Sequence, residues 1–248
     1  MEDWVNSYFD QDYLWTLLNK DDPHRNIKQV KFVVSETGVS RDSWILDLGC
    51  GYGRHQEIFF QYSYKVVGID FNRQYLLKAR EKNNSKDRKM DLVQSDMRKL
   101  PIQNNTFDLV ALFFTSFGYF TEEDDAKTLL EIKQVLKKGG YLFLDMENRD
   151  HIIRYFKTDE IREYPYFTLL ERHRFDIHTG IQHTRRIYYY NNNEKKEVHR
   201  ELRLYSFTEM KRLLEETGFM VDKVFGDYNG TIFNLESTRM LILAKNVN

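Results

Sequence analysis

The chain has 248 residues, 41% hydrophobic and 30% charged, enough for one large domain or a domain with a sizeable insertion. With 37 basic and 38 acidic residues the net charge is -1, so no overall basic field gathers nucleic acid or anionic lipid. No apolar run approaches the roughly 20 residues of a bilayer span. The acidic, aromatic N-terminus is unlike a signal peptide, and the single cysteine, Cys50, permits neither an internal disulfide nor a cysteine metal cluster. A cytoplasmic protein is expected.

In chain order, "DWVNSYFDQDYLWTLLNK" carries apolar residues at helical spacing and is punctuated by Asp22-Pro23. A second helix is predicted from His24 to Ser35, stopping at Gly38. Short apolar runs then follow at 43–49, 64–70, 89–96, 106–114 and 139–146, each a strand candidate. Between them lie a helix that Asn72 can cap and another over 121–140, with acids first, lysines last and a glycine stop. Apolar strands alternating with helices predict a parallel sheet covered on both faces. After Asn148 the alternation ends. Extended, charged and aromatic stretches separated by "HTG" (178–180) and "NNNEKK" (191–196) predict a three-stranded antiparallel insertion. A helix opening with Ser206 and Glu209 in capping-box register and two closing strands complete the chain. The expected organisation is a helical lid (1–40), a core (41–149 and 206–248) and a β insertion capping the substrate (150–205).

"LDLGCGYGRHQ" (46–56) is the informative loop. Glycines between a strand and a helix let main chain approach a ligand. The dinucleotide pattern is G-x-G-x-x-G, but here Gly49, Gly51 and Gly53 alternate, and Asp47 sits beside them. A carboxylate there opposes a pyrophosphate and suits a ligand bringing positive charge, or it ties down loop amides. S-adenosyl-L-methionine has an ammonium, a sulfonium and a ribose, and no phosphate. Asp70, closing the second strand, can accept both ribose hydroxyls, a need this cofactor shares with nicotinamide dinucleotides. "SDM" (95–97) adds an acid and a methionine suited to adenine.

With these residues in place, the chain resembles a class I S-adenosylmethionine-dependent methyltransferase. The resemblance rests on "LDLGCGYG", Asp70 after "VVGI", "SDMRKLP", "FDLVALFFTSFGYF" and "LKKGGYLFLD", in that order over residues 44–146. The N-terminal helices and the β insertion make it loosely similar to glycine N-methyltransferase. The resemblance implies an α/β fold: a doubly wound, seven-stranded, mostly parallel Rossmann-like sheet with the last strand antiparallel. It also implies Gly49 and Gly51 along the methionine portion, Asp70 on the ribose, Phe71, Asp96 and Met97 at the adenine, and the Phe113 carbonyl at the ammonium. Arg25 stands at the spacing where a related family places an arginine on the cofactor carboxylate.

Substrate-facing candidates are Thr115, Ser116 and Tyr119 after the fourth strand, with Tyr8 and Tyr13 from the lid. His55 and Tyr119 are the candidates for a base. His173, His178 and His183 lack a completing cysteine or acid pair, so no metal is expected. Arg172, Arg174, Arg185 and Arg186 read as the wet face of the insertion. The expected activity is in-line methyl transfer to a small-molecule acceptor: "TSFG" stands where many amino-methylating nucleic-acid enzymes have N-P-P-Y, and the N-terminal helices and β insertion would form a lid. An amine nitrogen is what the looser resemblance to glycine N-methyltransferase implies. No membrane or nucleic-acid partner is expected. The alternatives left open are a tRNA methyltransferase and a non-catalytic protein that binds S-adenosylmethionine. The acceptor and the oligomeric state are not determined by the sequence.

Overall fold

A computed structural model describes residues 3–84 and 90–247. Positions 1, 2, 85–89 and 248, parts of the expected lid, core and third strand, lie outside the described residues. The elements run α1 (Asp3–Tyr8), α2 (Gln11–Asn19), α3 (Pro23–Thr37), β1 (Trp44–Leu48), α4 (Arg54–Gln61), β2 (Lys65–Asp70), α5 (Arg73–Asn84), β3 (Asp91–Gln94), β4 (Phe107–Leu112), α6 (Glu122–Val135) and β5 (Leu136–Glu147). They continue with α7 (Arg149–Arg154), β6 (Asp159–Glu163), β7 (Phe167–Asp176), β8 (Ile181–Tyr190), β9 (Lys195–Arg203), α8 (Phe207–Glu216), β10 (Phe219–Phe225) and β11 (Arg239–Asn246).

Seven strands form one sheet in the order β10-β11-β5-β4-β1-β2-β3. The β1, β2, β3, β4 and β5 neighbours pair in parallel, while β11 runs antiparallel to both β5 and β10. This is the expected doubly wound sheet. Chain order reverses between β1 and β4, and at such a switch point the carboxyl ends of the strands leave a crevice. Both faces are buried. One carries Leu46, Leu48, Val110, Leu142 and Ile242 against α6 and α8; the other carries Ile45, Leu109, Phe143 and Leu243 against α3 and α4. The central strands β1, β4 and β11 therefore bury both alternating sets, which is why they read as nearly continuous apolar runs.

Three boundaries differ from the sequence reading. The N-terminal run breaks at Phe9–Asp10, because the Asp10 carboxylate accepts from the Asp12 and Tyr13 amides and caps a new helix. The helix expected to reach the 139–140 glycines ends at Val135, where Leu136 turns extended and opens β5. The insertion has four strands, not three: β6-β7-β8-β9, all antiparallel. Its extra edge strand, "DEIRE", is too charged to announce itself, since an edge strand needs little apolar alternation.

The inner face of this second sheet packs on the N-terminal helices through an aromatic cluster: Tyr8, Phe167, Leu169, Tyr188 and Val198, joined by Trp4, Phe9, Tyr13 and Trp15. Arg186 also points inward, with only 11% of its side chain exposed and an ion pair to Glu171, which corrects its placement on the wet face. Side chains alternate sides along a strand, so Arg185 and Arg186 cannot share a face. Arg172 and Arg185 do face outward, paired with Asp159 and Glu197. Among the described residues no helix is long and apolar enough to cross a membrane.

Candidate cofactor and acceptor site

The crevice at the carboxyl ends of β1, β2 and β4 is a cleft of about 990 Å³, counting its solvent-open part. One wall is the loop after β1. Gly49, Gly51 and Gly53 all take left-handed backbone, with φ of 75°, 56° and 76°. At Gly49 a Cβ would meet Ser116 at 2.8 Å; at Gly51 it would touch only the Tyr75 ring, at an ordinary 3.9 Å. Glycine at 49 thus allows the loops after β1 and β4 to touch, and glycine at 51 leaves bare main chain beside the cleft.

Asp70 stands at the mouth of the loop. Its Oδ2 accepts from the Gly51 amide and its Oδ1 from the Asn72 amide, both at 2.8 Å. Burial pushes its carboxyl up to about 6 against these bonds. Each oxygen keeps lone-pair capacity toward the cleft, so a diol donor fits there. Beyond Asp70, Phe71, Ser95, Asp96 and Met97 continue the wall. Burial opposes ionisation of Asp96, but Arg98 outweighs it through bonds to both oxygens, and the net effect is downward. The Arg98 guanidinium also reaches Asp124 at 2.7 Å and lies 4.2 Å from the Phe120 ring centroid.

The opposite wall is the loop after β4. Phe114 and Thr115 sit at φ of 59° and 60°, unusual for residues with side chains. A buried network holds them there. Asp145 accepts the Phe114 amide at 2.8 Å and the Tyr228 hydroxyl at 2.7 Å, and it pairs with Arg239, which also donates to Thr115 Oγ1. The Phe114 ring is 43% exposed and is approached by Arg54 at 4.6 Å, Arg239 at 5.8 Å and Arg25 at 5.9 Å. The Phe113 carbonyl accepts from Ser116 Oγ at 2.9 Å. Val5, Phe9, Tyr13, Leu17 and Tyr119, from the N-terminal helices and the β4 loop, close the cleft from above.

The structure brings most of the sequence-derived candidates to this cleft: Gly49, Gly51, Asp70, Phe71, Asp96, Met97, Phe113, Thr115, Ser116, Tyr119, Tyr13 and His55 all line it. Three do not. Asp47 lies beneath the loop, 1% exposed, where burial pushes its carboxyl up to about 7 while Arg54 and the Gln56 amide pull it down. Its place is an anchor for the first turn of α4. Arg25 sits behind Phe114, its Nη2 donating to the Lys20 carbonyl and its Nε buried without a partner. Tyr8 is wholly buried under Tyr13. His55 contacts the cleft but is stacked on Phe113 at 4.0 Å and hydrogen-bonded to Gln29. Burial, with Arg54 and Arg25 nearby, holds its basicity well below the ordinary histidine range. Burial likewise holds the Tyr119 hydroxyl well above the ordinary phenol range.

Arg54 was missed by the sequence reading. The available signal was a cation at the first position of a helix, where the dipole disfavours it. Phe9, Tyr52, Tyr75 and Phe114 were missed because lid and loop aromatics meet only in the folded chain.

A strand-end carboxylate, bare glycine main chain and an aromatic roof at a sheet switch point define a nucleoside-cofactor enzyme of the doubly wound class. Comparison with known proteins narrows the class. Residues 45–140 match the methyltransferase domain family. Over 210 residues the chain is 29% identical to the glycine/sarcosine N-methyltransferase of Aphanothece halophytica, covering 80% of this chain and 73% of that protein. The fold matches an S-adenosylmethionine-dependent methyltransferase from Clostridium acetobutylicum (TM-score 0.82, 18% identity, 98% and 100% of the two chains). It also matches the CcbJ methyltransferase from Streptomyces caelestis (TM-score 0.80, 15% identity, 94% and 96%). Together these likenesses support a class I S-adenosylmethionine-dependent methyltransferase, an enzyme with S-adenosyl-L-methionine as its cofactor.

Proposed function

We propose that this enzyme methylates a small molecule on an amine nitrogen. The observation that carries the reading is the closure of the acceptor side by the N-terminal helices, whose Val5, Phe9, Tyr13 and Leu17 roof the cleft and are backed by the aromatic cluster they share with the four-stranded sheet. An acceptor reaching the methyl group must fit inside this roof, as a small molecule does and a folded nucleic acid does not. The choice of nitrogen is supported by the poor bases at the site. His55 is stacked and weakly basic, and Tyr119 is held protonated. An amine that sheds its proton to water before entry needs neither. The similarity to a glycine/sarcosine N-methyltransferase agrees with this choice.

S-adenosylmethionine supplies a methyl group already activated on a cationic sulfur. The residues suited to hold it are Asp70 for the ribose hydroxyls, Phe71, Asp96 and Met97 for the adenine, and Gly49, Gly51 and the Phe113 carbonyl for the amino-acid end. Arg54, on the cleft wall with Arg25 behind it, suits the carboxylate, since a guanidinium is a permanent cation with a fork of donors. Tyr13, Phe9 and Tyr119 offer ring faces that attract a cation. The work of the protein is alignment and water exclusion, and alignment alone can supply roughly 7–11 kcal/mol.

The test is to incubate the purified enzyme with methyl-labelled cofactor and either fractionated cell metabolites or total tRNA. Label is expected in a small amine. Label confined to RNA would replace this reading with the tRNA alternative, and tight cofactor binding without any transfer would favour a non-catalytic role.

A further inference from the structure

Resting on that reading, we propose that the acceptor bears a carboxylate, seated against Arg200 and Arg186 on the inner face of the four-stranded sheet. Register places these residues together: Glu171 pairs with Arg186 across β7 and β8, and Thr184 with Arg200 across β8 and β9. Arg186 is bonded to Glu171 at 2.6 Å, but Arg162 shares that same carboxylate. Arg200 has no ion-pair partner among the described residues. Its Nη2 donates only to neutral oxygens, Gln182 Oε1 at 3.0 Å and Thr184 Oγ1 at 3.3 Å.

The cluster therefore holds more donors than acceptors, the Tyr188 hydroxyl beside Arg186 being the one further neutral oxygen left without a partner. Arg200 Nε, Arg186 Nη1 and the Tyr8 hydroxyl are all buried with no hydrogen-bond partner. They belong to one spot, because the Tyr8 ring lies 4.8 Å from the Arg186 guanidinium and 5.6 Å from that of Arg200. Arg186 is also 4.8 Å from the Tyr13 ring, which lines the cleft. β9 carries Arg200 to the loop after β4, where the Arg203 amide donates to the Gly118 carbonyl beside Tyr119. None of the three lines the cleft itself; they lie next to Tyr13 and Tyr119, which do.

Buried donors, above all charged ones, are stable only when something accepts from them. Two guanidinium forks and a hydroxyl suit an anion with two oxygens. Charge narrows the anion. Arg162, Arg186 and Arg200 face Glu160 and Glu171, with Glu147 acting on Arg200 from beyond ion-pair distance. At most one positive charge is left uncompensated, which matches a carboxylate and not a phosphate dianion.

Isothermal titration of the enzyme saturated with S-adenosylhomocysteine tests the site, using acetate, propionate and benzoate as probes, each beside its amide. At least one carboxylate is expected to bind, and its amide about tenfold or more weakly. Arg200→Gln is expected to reduce carboxylate affinity by about tenfold or more and to leave S-adenosylhomocysteine affinity unchanged. Tyr8→Phe, which removes a hydroxyl that bonds nothing in the protein, is expected to weaken the carboxylate severalfold. The proposal is overturned if no carboxylate binds, if acid and amide bind alike, or if Arg200→Gln changes nothing. Failure to bind S-adenosylhomocysteine would instead strike the parent reading.

Discussion

Replacing Asp70 by asparagine probes the centre of the cofactor site. The carboxylate already accepts the Gly51 and Asn72 amides at 2.8 Å, and a bound ribose would add two hydroxyl donors. Hydrogen bonds to a charged acceptor contribute about 1.5–3 kcal/mol, neutral ones about 0.5–1.5. Neutralising two of them costs about 2–3 kcal/mol, or roughly 30- to 150-fold in affinity. Calorimetry with S-adenosylhomocysteine at pH 7.5 reads this loss. A 2′,3′-dideoxy analogue, lacking the donors, should show a much smaller gap between wild type and variant, the remainder coming from the backbone amide, Gly51 or Asn72, whose bond the asparagine NH2 cannot accept. The pH dependence provides an independent check. Burial pushes Asp70 up to about 6, and the ionised form is the acceptor. Wild-type affinity should be flat above about pH 6 and fall below it, whereas Asp70→Asn should show no such limb. Equal affinities for wild type and variant, or a pH limb that survives the substitution, would refute the ribose assignment.

Other expectations follow from the same geometry. Asp125 is fully buried, bonded by the Tyr205 hydroxyl at 2.8 Å and pushed up to about 8 by burial. A folded-state value raised above the unfolded one means stability falls as pH rises from about 4 to about 8 and levels off beyond. Asp125→Asn should therefore gain on wild type in thermal melts across that window and hold a constant lead above it; a gap independent of pH would contradict the burial argument. Gly49→Ala places a Cβ 2.8 Å from Ser116 at a φ of 75°. It should cost roughly 2–4 kcal/mol in chemical denaturation, partly recovered by adding Ser116→Gly; no recovery would mean strain at φ dominates. His55→Gln should lower kcat by much less than the ~10²-fold that a general base supplies. A larger drop, with loss of a pH limb, would restore His55 as a base.

The doubly wound core was legible because its cause is local. Strands such as "WILDL" and "FDLVAL" are apolar but for one aspartate each since both sheet faces are covered, and the glycine spacing and Asp70 mark the loops that such a sheet must place at one edge. The capping box at Ser206 and Glu209 was equally readable, being two bonds within four residues. The charged edge strand 159–163 was not, because its stability comes from pairing with β7 and not from its own pattern.

The site divides along the same line. Residues whose role depends on main-chain conformation, Gly49, Gly51 and Asp70, were visible in order and spacing. Those whose role depends on what lies across a gap were not. Arg25 and Tyr8 were expected at the cleft and stand behind it, while Arg54 and Phe114 reach it unannounced. Arg186 and Arg200 are two charges in a charged stretch until pairing register turns them inward beneath Tyr8. The sequence alone determined the sheet, its glycine loop and its acids, because these arise from neighbours along the chain. Tertiary structure decided which cations and rings enclose the reacting space, because side chains distant in sequence meet there only when helices and the second sheet close over the first.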